Sequence, residues 1–162
     1  MRVFTIQNGT RVFASLLLTV AFGLLQAQAK PDLSGNWKVN VGKSDFGPMP
    51  PPDTQSEKIT HQDPDLKIAV ASTGQMGDVN YDLHYTTDGK ESTNTIMGNE
   101  MKGTCKWDGD ALVIDSTGNF NGTDFTAKDR WTLSEDGKTL TQDRHISFAG
   151  GEGDMKIVLE KQ

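Results

Sequence analysis

The sequence predicts an all-β protein: an up-and-down antiparallel meander of about eight to ten strands closed into a barrel. Three observations predict it. After Ala29, apolar and polar residues alternate with a period of two, and no segment sustains the 3.6-residue repeat of a helix. Asp-Gly reversals interrupt the alternation at Thr86–Gly89, Lys106–Gly109 and Ser134–Gly137, where Gly supplies the positive φ that a tight turn needs. From the fourth strand onward every connection contains an even number of residues, so one apolar face passes from strand to strand without interruption.

Taken in order, Met1–Ala29 reads as a leader. Arg2 and Arg11 give a basic start, Val12–Leu25 is an apolar run, and Ala27-Gln28-Ala29 has the small-x-small spacing of a signal-peptidase site. The apolar run is too short to span a bilayer comfortably. The expectation is cleavage after Ala29 and bacterial export to the periplasm or beyond, leaving one barrel domain over residues 30–162.

Trp37, Val39 and Val41 mark the first strand. Gly42–Gln55 follows with Gly47-Pro48-Met49-Pro50-Pro51-Pro52. Prolines cannot donate to a ladder, so this segment crosses one end of the barrel as a stiff loop. Ile59 and then Leu66, Ile68 and Val70 give the next two strands, and Tyr81, Leu83 and Tyr85 the fourth. The remaining loops are expected at Gly98-Asn99, Asn121-Gly122 and Gly150–Gly153. They carry the apolar face through Ile96, Met101, Leu112 and Ile114, then Phe125 and Trp131, then Leu140, Ile146 and Phe148, and last Met155, Ile157 and Leu159. A meander with one apolar face escapes exposed edges by closing, here by pairing the Trp37 strand with the Ile157 strand.

Composition narrows the function. The leader holds two of the 16 basic residues and none of the 22 acidic ones, so the remainder carries a net charge of −8. Phosphate-backbone binding needs clustered Lys and Arg, so no nucleic-acid partner is expected. A single cysteine, Cys105, excludes an internal disulfide. Its inward parity fits an inert core thiol. His61, His84 and His145 lack metal-ligand spacing, and nucleophile-elbow and phosphate-loop patterns are absent. No cofactor and no metal is expected. Asn121-Gly122-Thr123 is formally a glycosylation sequon, but Asn-Gly between strands reads as a hairpin.

Leu33-Ser34-Gly35-Asn36-Trp37 resembles the Gly-x-Trp opening of lipocalins and other calycin barrels. Together with Lys43–Pro48 and Asp129–Ser134, it is similar to small secreted bacterial proteins described as lipocalin-like. The resemblance implies a cup that holds a small hydrophobic molecule, with Gly42–Gln55 in the place of the lid. It also implies a late-strand Arg packed over Trp37, for which Arg144 and Arg130 compete, or an inward Arg like that of fatty-acid-binding calycins.

Polar residues at inward parity are the exceptions that matter. Ser92, Asn94, Ser116, Asp129, Gln142 and Arg144 fall there, and the expected turns place Asp129 opposite Gln142 with Arg144 diagonal. Arg144 could fork onto a ligand carboxylate, assisted by Gln142 and Asn94. Equally, Asp129 could neutralise Arg144 as a purely structural pair. Tyr81, Tyr85, Phe120, Phe125, Trp131 and Phe148 form the apolar wall, as ligand contacts or as ordinary core.

Three function classes follow. The first is a non-enzymatic, exported, monomeric barrel that binds or carries a small hydrophobic or amphipathic molecule through Arg144, Gln142, Asn94, Asp129, Tyr81 and Trp131. The second is a protein-interaction module, such as an inhibitor of a secreted enzyme, that presents the proline-rich loop or a barrel face. The third, an enzyme using Asp129 beside Arg144, ranks last because no complete catalytic constellation is present.

Overall fold

The alternation resolves into ten antiparallel strands in a computed structural model that describes residues 30–75, 77–120 and 122–162. The leader expected at Met1–Ala29 lies outside the described residues. The strands are β1 (Gly35–Val39), β2 (Thr54–Gln62), β3 (Asp65–Thr73), β4 (Val79–Thr86) and β5 (Asp88–Ile96), followed by β6 (Asn99–Asp108), β7 (Ala111–Phe120), β8 (Thr123–Leu133), β9 (Thr139–Phe148) and β10 (Gly151–Lys161). Their order is β4-β3-β2-β1-β10-β9-β8-β7-β6-β5, a nearly closed up-and-down barrel. Among the described residues there is no α-helix, and none is long and apolar enough to cross a membrane. Lys38, Lys58, Lys67, Asp82, Lys102, Lys128 and Lys156 are exposed at outward parity, the reverse of the apolar band that faces lipid in a membrane barrel.

Closure takes the expected form. β1 pairs with β10 through Trp37↔Lys161 and Val39↔Leu159. Gly35 has φ +151, and a Cβ there would lie 2.7 Å from Lys161 Cε. Lys161 uses that space to set its ammonium 5.2 Å from the Trp37 ring. The cation over Trp37 is therefore this lysine, not Arg144 or Arg130; Arg130 instead pairs with Asp108 on the outer surface. Trp37 is fully buried and donates its indole N–H to the Leu33 carbonyl at 3.0 Å.

Facing is conserved along the ladders except at the start of β5, where the register against β6 shifts between Asp88 and Glu91, although several turns sit elsewhere than expected. Ile96 faces Asn99, so that turn is Met97-Gly98, with positive φ at both residues as a two-residue hairpin demands. Asp108 faces Ala111 and Phe148 faces Gly151, giving the two-residue turns Gly109-Asp110 and Ala149-Gly150. The last Asp-Gly turn is displaced by one residue, because the Ser134 N–H bonds the Thr139 carbonyl at 2.9 Å. All these changes preserve parity, so the inward set is the expected one. Val41 is the exception: β1 stops at Val39 and Val41 begins a 3-10 turn, Val41–Lys43.

The first Asp-Gly reversal makes no hairpin. Thr87, the one residue between β4 and β5, donates its N–H to the Pro64 carbonyl at 2.8 Å and its hydroxyl to Asp63. The link is thereby tied to the β2–β3 turn, and β4 and β5 are not paired in the ladder. Asn94 bridges this seam. Its amide oxygen accepts the His84 N–H at 2.7 Å and its amide nitrogen donates to the His84 carbonyl at 3.2 Å, doing with a side chain what a neighbouring backbone does elsewhere.

Packing divides the barrel into two ends. At one, Leu33, Trp37, Ile59, Leu66, Tyr85, Cys105, Leu112, Trp131, Leu140 and Leu159 form a closed floor. At the other, Tyr81, Ile96, Phe125, Ile146, Phe148 and Met155 also point inward but are only half-buried. The proline-rich connection reaches this second end. Asp45 and Lys156 exchange backbone hydrogen bonds of 2.8 and 2.7 Å, Phe46 packs against the core, and Pro48 fills the space where Gly153 lacks a Cβ.

Asn94→Ala removes both seam bonds and leaves the His84 amide unpaired, a loss of roughly 1–3 kcal/mol. Hydrogen exchange checks this. The His84 amide loses protection while Leu112 and Ile157 amides keep theirs, and Asn94→Asp, which retains the acceptor, lies between.

Candidate functional site

Where the packed floor gives way to the open end, a belt of polar side chains crosses the interior. β9 contributes Gln142 and Arg144, β8 contributes Asp129 and Trp131, and β4 contributes Tyr81. Glu57 enters from β2, an inward polar residue that the sequence reading missed. Its signal was available, since Glu57 lies two residues before inward Ile59. The parity of that strand rested on Ile59 alone, because the rest of Thr54–Gln62 is polar. His61, on the same face, was missed for the same reason. Its side chain is 5% exposed, with Nδ1 accepting the Leu33 N–H at 3.5 Å.

The displaced turn before β9 changes the central pairing. Asp129 stands opposite Arg144 rather than Gln142, and Gln142 stands opposite Trp131. Arg144 donates through Nε to Asp129 Oδ1 at 2.7 Å, with the carboxylate buried and the arginine side chain 35% exposed. The Asp129 charge, before any other influence, holds the Arg144 pKa above its ordinary value. The two terminal guanidinium nitrogens have no hydrogen-bond partner among the described residues.

Glu57 is buried and accepts two amide hydrogens, from Gln142 at 2.9 Å and Gln55 at 3.0 Å. Burial pushes its pKa up, partly opposed by those two hydrogen bonds and by Arg144. The Gln142 bond reaches past β10 and β1 to β2, three strands away in the sheet order. Tyr81, half-buried beside it, has its phenol pKa raised by burial.

Among the buried side-chain nitrogens and oxygens of the described residues only His61 Nε2 and Trp131 Nε1 lack a hydrogen-bond partner, and His61 Nε2 lies 3.7 Å from Asp63 Oδ1. Among the described residues no side-chain hydrogen bond is made to Asp129 Oδ2 or Gln142 Oε1. The belt therefore has donors and acceptors to spare in Arg144, Asp129 and Gln142, with the Tyr81 phenol beside them.

Other expectations fare differently. Asn94 is buried, but it serves the seam between β4 and β5. Phe120 stands at the rim with 38% exposure instead of lining the wall. Tyr85 belongs to the floor, where burial pushes its pKa up to about 12. Cys105 is buried beside it, its thiol likewise pushed up to about 12, which keeps it protonated. His84 and His145 are exposed and lie beside Asp65 and Asp154. Among the described residues no three His, Cys, Asp or Glu side chains are grouped to hold a metal. Three depressions of about 720, 500 and 400 Å3 lie against runs of neighbouring strands, and none draws residues from opposite walls.

Because burial raises the Glu57 pKa, the folded protein holds that proton more tightly than the unfolded chain. As pH rises through the ordinary value of 4.5, ionisation favours the unfolded chain and stability falls until the folded-state pKa is passed. Urea unfolding of Glu57→Gln and wild type across this range tests the sign. The stability difference shifts in favour of the glutamine variant as pH rises above about 4.5, and a difference independent of pH contradicts the assignment.

No family model matches the chain, and no curated protein matches it in sequence. Solved structures match it in shape. A secretory abundant heat soluble protein from Ramazzottius varieornatus superposes with a TM-score of 0.59 at 13% identity, over 80% of this chain and 94% of that one. Zebrafish ileal bile acid-binding protein complexed with cholic acid gives 0.55 at 18% identity, over 80% and 98%. Human cRBP IV gives 0.53 at 16%, over 82% and 99%. At such identities the likeness is one of fold, and the fold is that of the calycin-type barrels.

Proposed function

We propose that the barrel binds a small hydrophobic or amphipathic molecule through its open end and acts as an exported carrier rather than an enzyme. One observation carries this reading: the inward apolar side chains at that end are half-exposed, whereas those of the floor are closed over. Tyr81, Phe125, Ile146, Phe148 and Met155 form an apolar wall that is only half-covered among the described residues, and such a wall is worth burying. The polar belt beneath supplies an end-stop with unused hydrogen-bonding capacity, the combination that orients a ligand in an apolar pocket. The zebrafish neighbour, solved with cholic acid, lends the reading support by analogy of fold.

Native mass spectrometry of protein purified from its own host tests the reading directly. A copurifying small molecule is expected, whereas a bound protein in its place favours the interaction-module alternative, for which exposed Met49 and its flanking prolines are the natural contact. Phe148→Asp weakens binding of an apolar fluorophore by about ten-fold or more and leaves the strand signal in circular dichroism intact. Export is tested separately: N-terminal sequencing of protein from the culture or periplasm begins at Lys30.

A further inference from the structure

Calling the belt a head-group site leaves open which head group it takes. Its charges are unevenly matched. Two carboxylates, Glu57 and Asp129, face one guanidinium, and Arg144 already gives Nε to Asp129 at 2.7 Å. The bond is single, so the terminal nitrogens stay available to a ligand. A ligand carboxylate would meet them, but it would also approach the Asp129 carboxylate that already balances the guanidinium, and it would bring a further charge beside buried Glu57, where burial disfavours charge.

A hydroxyl meets no such opposition. It offers one hydrogen and two lone pairs, and the belt offers the matching set. The Arg144 terminal N–H groups can donate to the hydroxyl oxygen, and Gln142 Oε1 or Asp129 Oδ2, to which no side-chain hydrogen bond is made among the described residues, can accept its hydrogen.

We propose that the interior selects an uncharged, hydroxyl-bearing amphiphile over the carboxylate of the same chain length, because Asp129 occupies Arg144 and Glu57 faces the same space. The inference rests on the carrier reading, and its test separates the two. Dodecanol and dodecanoate are titrated against a bound apolar fluorophore at neutral pH. Wild type binds dodecanol about ten-fold more tightly. Asp129→Asn frees the guanidinium and raises dodecanoate affinity by about the same factor. Should that variant fail to fold, Glu57→Gln, which keeps the Asp129–Arg144 pair, also raises dodecanoate affinity relative to dodecanol. Equal wild-type affinities, a preference for dodecanoate, or no gain by dodecanoate in a folded variant overturns the selectivity but leaves the carrier intact. If neither ligand displaces the fluorophore, the carrier reading fails and the selectivity with it.

Discussion

Each strand of this barrel has one face turned to a narrow interior, and every connection must return the chain with that facing unchanged. The rest of the structure depends on this constraint. A one-residue slip in any hairpin would send the apolar set of all later strands into water. Met97-Gly98, Gly109-Asp110 and Ala149-Gly150 keep the facing with two residues each. The Asp136-Gly137 turn does so with four, and the 3-10 turn and proline run after β1 lead back to Ile59 and Glu57 on the inside.

The same constraint explains what could be seen in advance. Parity survives a two-residue error in register, so the inward set was legible even where turns were misplaced. Axial position does not survive it. The Thr139–Ser134 backbone bond moves β9 by two residues against β8, turning a diagonal Asp129–Arg144 relation into a direct ion pair. Glu57 was hidden because a strand with one apolar residue barely declares its facing. The seam was hidden for another reason: it depends on Thr87 bonding Pro64 and Asp63, contacts between turns far apart in sequence. Asn94 looked like an interior ligand because its parity is inward, and parity cannot distinguish a side chain facing the cavity from one facing a gap in the wall.

Floor and mouth divide the work. The floor holds the buried Trp37, Trp131, Tyr85 and leucine cluster, closed by Lys161 over Trp37, and apolar burial of this kind dominates the stability of a domain without disulfides. The mouth adds less, since its apolar side chains are only half-covered. Substitutions there remove less buried apolar surface and so cost the fold less than substitutions in the floor.

The polar belt lies at the boundary between these regimes, and its composition follows from that position. Deeper, an ionised pair would lose its remaining solvent; nearer the rim, it would be screened and worth little. At the boundary Asp129 is buried while Arg144 keeps part of its surface open. The charge is thus neutralised inside while part of the guanidinium stays accessible. Glu57 is held by two amides, Gln142 from β9 and Gln55 from its own strand, the arrangement a buried acid needs if it is to stay without a counter-ion. An arginine placed to receive an anion would be left unpaired by its own protein. Here Asp129 pairs it, and what remains open is hydrogen-bonding capacity instead of an unbalanced charge.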